Sequence, residues 1–231
     1  MIDIHAHILP LVDDGSRSIE RSVSLLKDCL EQGITDIILT PHHRQPYLES
    51  VEKTKESFEA FKVAVQKENL PINLYLGQEI FVTPDLKQKL RENKVLTMAD
   101  SKYLLVEFDF SFGMDVAETV HELKTMGYIP IVAHLERYPY VSLFDAHEIK
   151  ECGGLIQVNC ESIAGKAKRQ YFKTVKKLFK NNLVDLVASD YHDGRENCMK
   201  EAGKFVKKKF GEQVYNRVFI DNAKAIIKGQ Q

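Results

Sequence analysis

The chain lacks the cysteine patterns that support disulfide, thiolate-metal or thiol-phosphatase chemistry. No two of its four cysteines have C-x-x-C spacing; they are Cys29, Cys152, Cys160 and Cys198. A thiol-based phosphatase needs an arginine six residues after its cysteine, in a phosphate-binding loop that lowers the thiol pKa. The residues at that offset are Thr35, Val158, Lys166 and Lys204. We therefore predict reduced thiols in a cytoplasmic protein and exclude cysteine-based phosphatase chemistry.

The chain also has no excess of charge of either sign. It contains 32 basic and 33 acidic residues, for a formal net charge of −1, so it has no electrostatic footprint for nucleic acid. A short basic run, Lys204 with residues 207–209, is predicted to be the solvated face of a late helix. No G-x-x-x-x-G-K-[ST] or G-x-S-x-G loop occurs, and therefore neither P-loop nucleotide hydrolysis nor serine esterase chemistry is expected.

Long apolar runs, linkers and repeats are missing as well. No apolar segment approaches the length of about 20 residues that spans a membrane, and Asp3 and His5 interrupt the first residues. We therefore expect neither membrane insertion nor a signal peptide. The length of 231 residues fits one undivided barrel domain over residues 1–231, since such folds run to about 200 to 250 residues. The oligomeric state stays open.

What the chain does contain is a series of short, continuous runs rich in Ile, Val and Leu. This pattern is typical of strands buried on both faces of a parallel sheet. Seven runs have it: residues 1–4, 34–39, 72–76, 103–106, 129–133, 155–158 and 183–188. Amphipathic segments with helical spacing lie between them, as in residues 19–30 and 51–65, and Thr83-Pro84 is predicted to open another helix. Strand and helix repeated in this way predict a parallel sheet closed into a barrel.

Histidines and acids follow the carboxyl ends of nearly all these runs. They include His5, His7, His42, Glu79, Glu107, His134, Asp190 and His192. Barrel enzymes carry their chemistry at that end, and two histidines at i and i+2 leave a strand on the same side. A lone H-x-H can be two solvent-facing histidines, and a single glutamate can be a buried, hydrogen-bonded carboxylate. Gathered at one barrel mouth, however, these groups would repel or desolvate one another without cations, so we predict a metal centre.

Seven motifs in chain order carry a resemblance to a known family. They are Asp3-Ile4-His5-Ala6-His7, Asp13-Asp14-Gly15, Thr40-Pro41-His42, Gly77-Gln78-Glu79-Ile80, Val106-Glu107-Phe108, Ala133-His134-Leu135-Glu136-Arg137-Tyr138 and Ala188-Ser189-Asp190-Tyr191-His192. The whole chain resembles the polymerase and histidinol phosphatase (PHP) superfamily. More narrowly, it is similar to bacterial tyrosine-protein phosphatases encoded with capsule and exopolysaccharide synthesis genes.

The resemblance implies a fold, a cofactor and a substrate. The fold is a distorted seven-stranded parallel (βα)7 TIM-like barrel, the PHP fold. The cofactor is a cluster of three divalent metal ions, usually manganese, with iron or zinc as alternatives. The implied activity is metal-dependent removal of phosphate from phosphotyrosine. The implied substrate is the flexible tail of a bacterial tyrosine kinase, and this kinase controls polysaccharide length.

The resemblance also implies which side chains hold each ion. The first ion would be bound by His5, His7, Glu79 and Asp190. Glu79 would bridge to a second ion, held with Glu107 and His134. The third ion would be bound by Asp14, His42 and His192. Either carboxylate of the Asp13-Asp14 pair can face inward, and the match favours Asp14. His43 is left as a possible outer partner of a ligand, and His121 and His147 as ordinary helix residues.

Charge counting favours three ions at such a site. The ligands comprise five neutral imidazoles and four carboxylates, so three divalent ions leave two positive charges, and two ions leave none. A phosphate dianion is attracted only in the first case. Metal ions about 3.5 to 4 Å apart can bind phosphate oxygens and hold a bridging hydroxide in line with phosphorus.

Two arginines stand close to the expected ligands in the sequence. Arg137 follows His134, and Arg195 follows His192. Each can fork onto phosphate oxygens and stabilise charge in the transition state. The alternative for each is a surface ion pair.

The leaving group bears on specificity. A tyrosine phenolate, with a pKa of about 10, departs more easily than a serine alkoxide and needs little help from a general acid. Tyr138, Phe110 and Phe112 can wall the substrate ring or serve only as packing.

Other functions stay open at this stage. One is another PHP phosphoesterase, acting on histidinol phosphate, a nucleotide or a DNA 3′ end. A second is an amidohydrolase-type barrel, which also uses H-x-H and a late aspartate. That class commonly has a bridging lysine on its fourth strand, where this chain has Glu107, so the sequence disfavours it. A third is a catalytically silent barrel in which metal only stabilises the fold and the surface binds a kinase.

Overall fold

The computed structural model describes residues 1–229, which form an α/β fold on parallel strands. The strands are β1 (Ile2–Ala6), β2 (Asp36–Leu39), β3 (His42–His43), β4 (Asn73–Leu76), β5 (Glu79–Phe81), β6 (Tyr103–Glu107), β7 (Ile129–Val132), β8 (Leu155–Asn159) and β9 (Leu186–Ala188). The helices are α1 (Ile19–Glu31), α2 (Val51–Lys67), α3 (Leu86–Arg91), α4 (Val116–Thr125), α5 (Leu143–Glu151), α6 (Cys160–Ala164), α7 (Arg169–Lys180), α8 (Met199–Phe210), α9 (Glu212–Asn216) and α10 (Asn222–Lys228). Strand and helix alternate along most of the chain.

Each of the seven apolar runs contains a strand. After a two-residue gap, β3 follows β2 and β5 follows β4, so two of the runs lead into an additional short strand. Pro41 in the first gap has no N–H to donate to a ladder. Gly77, in the gap between β4 and β5, lies close to Met98. A Cβ atom added to Gly77 would stand 2.8 Å from the Met98 Sδ atom. Pro41 therefore cannot donate in the first gap, and the second gap passes close to Met98.

The strands form two parallel sheets that curve together. Their orders are β1-β2-β4 and β3-β5-β6-β7-β8-β9. In the first sheet Ile2 pairs with Asp36. An isolated parallel bridge joins Ala6 to Tyr191, just beyond β9. The strands therefore form a half-barrel whose carboxyl ends meet at one face.

The strands are buried on both faces because helices cover the sheet. All five residues of β1 are buried. α1 begins where the Ser18 hydroxyl accepts a hydrogen bond from the Arg21 N–H at 3.1 Å, and it buries Val23 and Leu26. Ile19, which the helical spacing places on the same face, is instead 38% exposed because it begins the helix at the edge of the packed surface.

The predicted helix start at Thr83-Pro84 is wrong by two residues. α3 begins at Leu86, with Asp85 in the N-cap position. The Thr83 hydroxyl donates to Asp85 Oδ1 at 2.5 Å, and the Leu86 N–H donates to the Thr83 carbonyl at 3.0 Å. These bonds close a turn before the helix, so Thr83 does not cap it.

The later helices present a polar surface. The lysines of the basic run, Lys204 and residues 207–209, are exposed on α8, as predicted. Among residues 1–229, no helix has the length and apolar character needed to cross a membrane.

Candidate metal centre

The carboxyl ends of the strands bring the predicted ligands into one cluster. Its members are His5, His7, Asp14, His42, Glu79, Glu107, His134, Asp190 and His192, linked by side-chain distances of 2.8 to 3.8 Å. All are buried except Asp14, whose side chain is 43% exposed at the mouth. Three subsets have ligand atoms close enough to share a cation.

The first subset consists of His5, His7 and Asp190. The two histidine Nε2 atoms lie 3.1 Å apart. Asp190 Oδ1 lies 3.6 Å from each of them, and the oxygens of Glu79 lie 3.3 Å from them. This is the convergence expected for two histidines at i and i+2 on one strand.

Hydrogen bonds behind these rings determine where their protons lie. Gln157 Oε1 accepts the His134 N–H at 2.8 Å and lies 3.2 Å from His5 Nδ1, so His5 carries its proton on Nδ1. His7 Nδ1 lies 2.7 Å from Asp13 Oδ2 and donates to it. Both Nε2 atoms therefore face each other and the nearby carboxylates. Burial lowers the pKa of each imidazole, but Glu79 beside His5 and Asp13 beside His7 raise it above the usual value. These Nε2 atoms thus attract positive charge, which a metal cation can supply in place of a proton.

The second subset consists of His42, Glu79 and Glu107. His42 Nδ1 lies 2.8 Å from Glu79 Oε2, yet no hydrogen bond joins these buried atoms. The two atoms are close enough to bind one ion. His134, predicted to share an ion with the two glutamates, has its Nε2 2.8 Å from Glu79 Oε1 and 3.8 Å from Glu107 Oε1.

The two glutamates differ in charge state. Burial alone would raise the pKa of Glu79, but the positive charge of His5 and a hydrogen bond from His134 bring it well below its usual value. For Glu107, burial and the negative charge of Glu79 raise the pKa to about 8. Protein side chains alone therefore do not balance the acids here, and further positive charge is favoured.

The third subset consists of His7, Asp14, His42 and His192. Asp14 Oδ1 lies 3.6 Å from Nε2 of both His42 and His192. His192 Nδ1 lies 2.9 Å from the Asp190 carbonyl, to which it donates, and this leaves its Nε2 free toward Asp14. This subset lies nearest to solvent.

The structure separates the roles of the two adjacent aspartates. Asp13 Oδ2 accepts from His7 and from the His42 N–H at 2.9 Å, while Oδ1 accepts the Gly15 N–H at 2.9 Å. Burial opposes its ionisation, but the His7 charge and these bonds lower the Asp13 pKa to about 2. Asp13 thus orients His7, and Asp14 faces the mouth. A Cβ at Gly15 would overlap the His7 carbonyl, so this turn requires glycine.

Two of the clustered residues have left-handed backbone conformations. The φ angle is 34° at His134 and 52° at Asp190, each two residues after the end of a strand. Residues other than glycine adopt this region rarely, and such strain concentrates at functional sites. The strain turns the chain sharply at the strand end.

Comparison with known proteins decides the family. The sequence profile described as "Capsular polysaccharide synthesis, CpsB/CapC" matches residues 1–228. The chain belongs to the CpsB/CapC family. The resemblance to capsule-associated bacterial phosphatases is thereby confirmed.

Relatives of this CpsB/CapC chain align over nearly its full length. It is 33% identical over 238 residues to the tyrosine-protein phosphatase YwqE of Bacillus subtilis, covering 100% of this chain and 92% of YwqE. It is 33% identical over 242 residues to the tyrosine-protein phosphatase CpsB of Streptococcus agalactiae, covering 99% and 98% of the two chains.

The fold of the CpsB/CapC chain matches a solved structure closely. The match comes from the crystal structures of YwqE from Bacillus subtilis and CpsB from Streptococcus pneumoniae, described as unique metal-dependent tyrosine phosphatases. The TM-score is 0.93 at 31% identity, with 100% of this chain and 96% of the other covered.

The two predicted arginines lie beside Asp190 in the CpsB/CapC chain. Arg137 Nη1 is 2.8 Å from Asp190 Oδ2, and its Nη2 donates to Glu161 Oε1 at 2.9 Å. Arg195 Nη1 is 3.4 Å from the same Asp190 oxygen. Arg137 is largely buried, so its ion pair differs from the surface ion pair that the sequence left as an alternative. The Arg195 side chain is 45% exposed.

A third arginine at the centre was missed from the sequence. Arg44 Nη1 lies 3.2 Å from Glu107 Oε2, and its Nη2 lies 3.2 Å from His42 Nε2. Arg44 lies two residues after the expected ligand His42, and this closeness in sequence could have indicated it. The same signal, at three residues, indicated Arg137 and Arg195.

Sequence reasoning also missed the polar chain behind the ligands. Gln157 Nε2 donates to Asn159 Oδ1 at 2.8 Å, and Asn159 Nδ2 donates to Asp190 Oδ2 at 2.9 Å. Together with the bond between Gln157 and His5, this chain orients ligands from both ends of the sequence. The position of Asn159 directly after the sixth apolar run, residues 155–158, is the signal that could have indicated it.

The aromatic side chains near the mouth differ in role. Tyr138 is buried, and its hydroxyl accepts the Phe108 N–H at 3.0 Å, so it packs and cannot meet a substrate. Phe110 stacks on Tyr138 with ring centroids 5.4 Å apart and is 39% exposed. Phe112 is 75% exposed.

The cysteines lie outside the cluster of ligands. All four are free thiols within the described part of the chain, and Cys29, Cys160 and Cys198 are buried. Burial raises the pKa of the Cys29 and Cys160 thiols well above the usual value. Neither of these two has the thiolate character that a nucleophile needs.

Replacing all four cysteines with Ser or Ala should therefore leave kcat nearly unchanged in protein that still folds. Circular dichroism would verify folding, and elemental analysis would verify metal content. If one cysteine substitution inactivated well-folded protein of normal metal content, the chemistry would have to run through a thiol.

Proposed function

We propose that this chain is a metal-dependent protein-tyrosine phosphatase. The observation that carries the proposal is the pair of His5 and His7 Nε2 atoms facing each other at 3.1 Å among carboxylates. A divalent cation suits this set of imidazole nitrogens and carboxylate oxygens. The names of the CpsB and YwqE relatives support the choice of phosphotyrosine as substrate.

The proposed site contains three divalent ions. The first is held by His5, His7, Glu79 and Asp190; the second by Glu79, Glu107 and His134; the third by Asp14, His42 and His192. Manganese is the proposed metal, and iron or zinc would suit the same mixed imidazole and carboxylate ligands. Bound divalent ions would supply Lewis-acid polarisation of phosphate oxygens and activation of water.

The chain's own residues bind and orient the phosphate. Arg137 and Arg195 converge on Asp190 from outside the cluster and can turn their free N–H groups to phosphate oxygens. Arg44 adds positive charge beside Glu107. Asp13 and Gln157 keep the His7 and His5 rings in the tautomer that exposes Nε2.

We extend the fold proposal to a complete (βα)7 barrel in a single domain of residues 1–231. The His7 N–H donates to the Tyr191 carbonyl and the Asp190 N–H to the His5 carbonyl, both at 2.8 Å, which joins the first strand to the last. The Gly77 N–H donates to the Leu39 carbonyl at 2.8 Å across the gap after β4. Counting β2 with β3 and β4 with β5 as single strands gives seven.

The proposed substrate is a bacterial tyrosine kinase of capsule or exopolysaccharide synthesis, dephosphorylated in the cytoplasm. The family description names capsular polysaccharide synthesis. A disordered, tyrosine-bearing kinase tail can reach an open mouth without unfolding of either protein.

Phosphotyrosine peptides should be hydrolysed more than about tenfold faster than phosphoserine peptides of the same sequence. The phenolate leaves with a pKa of about 10 and requires little protonation, and no residue at the mouth is assigned as general acid. The measurement is kcat/KM for matched peptides, with histidinol phosphate alongside. Equal values for the two peptides, or a preference for histidinol phosphate, would favour another PHP phosphoesterase.

The catalytically silent alternative makes a different prediction for the same assay. A barrel that uses metal only for stability would show no metal-dependent turnover of any phosphopeptide. Its melting temperature would still fall on chelation, because a cation bound only by the folded state stabilises it.

A further inference from the structure

His43 does not face the metal centre. It follows His42 on β3, and consecutive strand residues point to opposite faces. His42 meets Glu79, whereas His43 lines a cavity that Asp14 and Arg44 also border. The expectation that His43 supports a ligand is therefore wrong: no hydrogen bond of either ring nitrogen joins it to the cluster.

The cavity beside His43 is large and reaches the mouth of the metal centre. Its volume is about 700 Å³, within the range of about 300 to 1,000 Å³ typical of ligand sites. Its apolar walls are formed by Pro46, Tyr47, Leu48 and Phe81. Asp14, the most exposed residue of the centre, lies at its edge. We call this space the His43 cavity.

Apart from Asp14, which is assigned to the proposed third ion, the charged groups of the His43 cavity have partners. Lys89 lies 3.2 Å from Asp85, and Arg44 lies 3.2 Å from Glu107. An ionic occupant would have to compete with these pairs. The cavity therefore favours a neutral ligand.

One polar group in the cavity has no partner. His43 is only 7% exposed, and neither ring nitrogen makes a hydrogen bond. Buried polar groups are nearly always satisfied, so an imidazole without a protein partner on a cavity wall is available to bond to water or to a ligand. A neutral imidazole offers one donor and one acceptor. A hydroxyl group, which both donates and accepts, matches either nitrogen.

We propose that the His43 cavity binds an unphosphorylated tyrosine side chain of the substrate polypeptide while a nearby phosphotyrosine of that polypeptide enters the metal centre. The proposal rests on the phosphatase function proposed above. The aromatic and proline walls pack against the ring, and the hydroxyl bonds to His43. Because the cavity adjoins Asp14, one short segment can fill both sites, and His43 selects substrates that carry a second tyrosine.

Direct binding tests the cavity without any phosphatase reaction. N-acetyl-tyrosine amide is titrated into zinc-loaded protein with isotope-labelled histidines, and the His43 ring resonances are followed by NMR. Zinc is used because it is diamagnetic, whereas manganese would broaden the nearby signals. We expect saturable shifts of the His43 signals, smaller shifts with N-acetyl-phenylalanine amide, and none in the His43→Leu variant. Equal shifts with the two amides, or no shift with either, would overturn the proposed tyrosine site while leaving the phosphatase proposal intact.

Kinetics test the specificity role. Phosphotyrosine peptides carry one tyrosine at successive positions on either side of the phosphotyrosine, with phenylalanine at the same positions as the control. At the best position we expect tyrosine to lower KM about two- to tenfold relative to phenylalanine, the range for one neutral hydrogen bond. His43→Leu should erase this difference and keep kcat on p-nitrophenyl phosphate, which is too small to use the cavity.

A second variant keeps the test decisive if His43→Leu fails to fold. Leu48 lies on the cavity wall and is 43% exposed, so Leu48→Asp should fold normally and place a charge where the ring packs. We expect it to raise KM for the tyrosine-containing peptide and not for p-nitrophenyl phosphate. A KM that does not respond to the second tyrosine in the wild-type protein, or to Leu48→Asp, would refute the proposal.

Discussion

Incubation with a chelator should abolish phosphotyrosine hydrolysis, and added manganese should restore it. The cluster presents five imidazoles and four carboxylates, nearly all buried, and its acids cannot bind a phosphate dianion without compensating cations. Activity and metal content, measured on the same samples by elemental analysis, should fall and recover together. Full activity in metal-free protein would refute the metal centre.

Single ligand substitutions should have effects nearly as large. His5→Ala, Glu107→Ala and His192→Ala each remove a ligand of a different proposed ion, and each should lower kcat/KM more than about a hundredfold, since even outer partners of ligands cost about 10- to 100-fold. His121→Ala and His147→Ala are matched controls, because both histidines are exposed on helices away from the site. Near-normal turnover by any two of the three ligand variants would contradict the assignment.

Arg137→Ala and Arg195→Ala should each lower kcat/KM by roughly tenfold to a hundredfold without loss of metal. Each removes charged hydrogen bonds to phosphate, which are worth about 1.5 to 3 kcal/mol. Lysine at either position should restore activity only in part, because an ammonium group lacks the planar fork of guanidinium. The measurement is kcat and KM with a phosphotyrosine peptide, together with elemental analysis.

The control for this prediction is Arg91→Ala, which removes an exposed arginine of α3 away from the cluster. It should leave kcat/KM unchanged. Arg137 and Arg195 both contact Asp190, so the outcome that would contradict the prediction is loss of the metal ions together with the activity in these two variants. In that case the arginines hold the ligand in position, and their role in binding phosphate would be wrong.

The strand framework could be read from sequence because its pattern is local. A strand buried on both faces needs a continuous apolar run, and each of the seven runs contains one. The clustering of His5, Glu79 and Asp190 followed from the same framework, because parallel strands end at one face and the ligands stand at those ends. The resemblance to the CpsB/CapC family then narrowed the chemistry.

The choice between Asp13 and Asp14 needed the folded chain. Both are carboxylates beside the same glycine, so no local pattern distinguishes them. In the structure the His42 N–H, donated from a segment distant in sequence, engages Asp13 and leaves Asp14 free at the mouth.

The remaining features of the site came from contacts between distant segments. The bond from His5 to Gln157 joins residues 152 positions apart, and Arg44 reaches Glu107 across 63 positions. From the sequence His43 was left as an outer partner of a ligand, whereas in the structure a short strand turns consecutive histidines to opposite faces, one into the centre and one into a cavity. The sequence by itself determined which residue types arrive at the barrel mouth, since strand burial is a local property. Only tertiary packing decided which atoms meet there, because each hydrogen bond depends on two segments that the chain brings together only on folding.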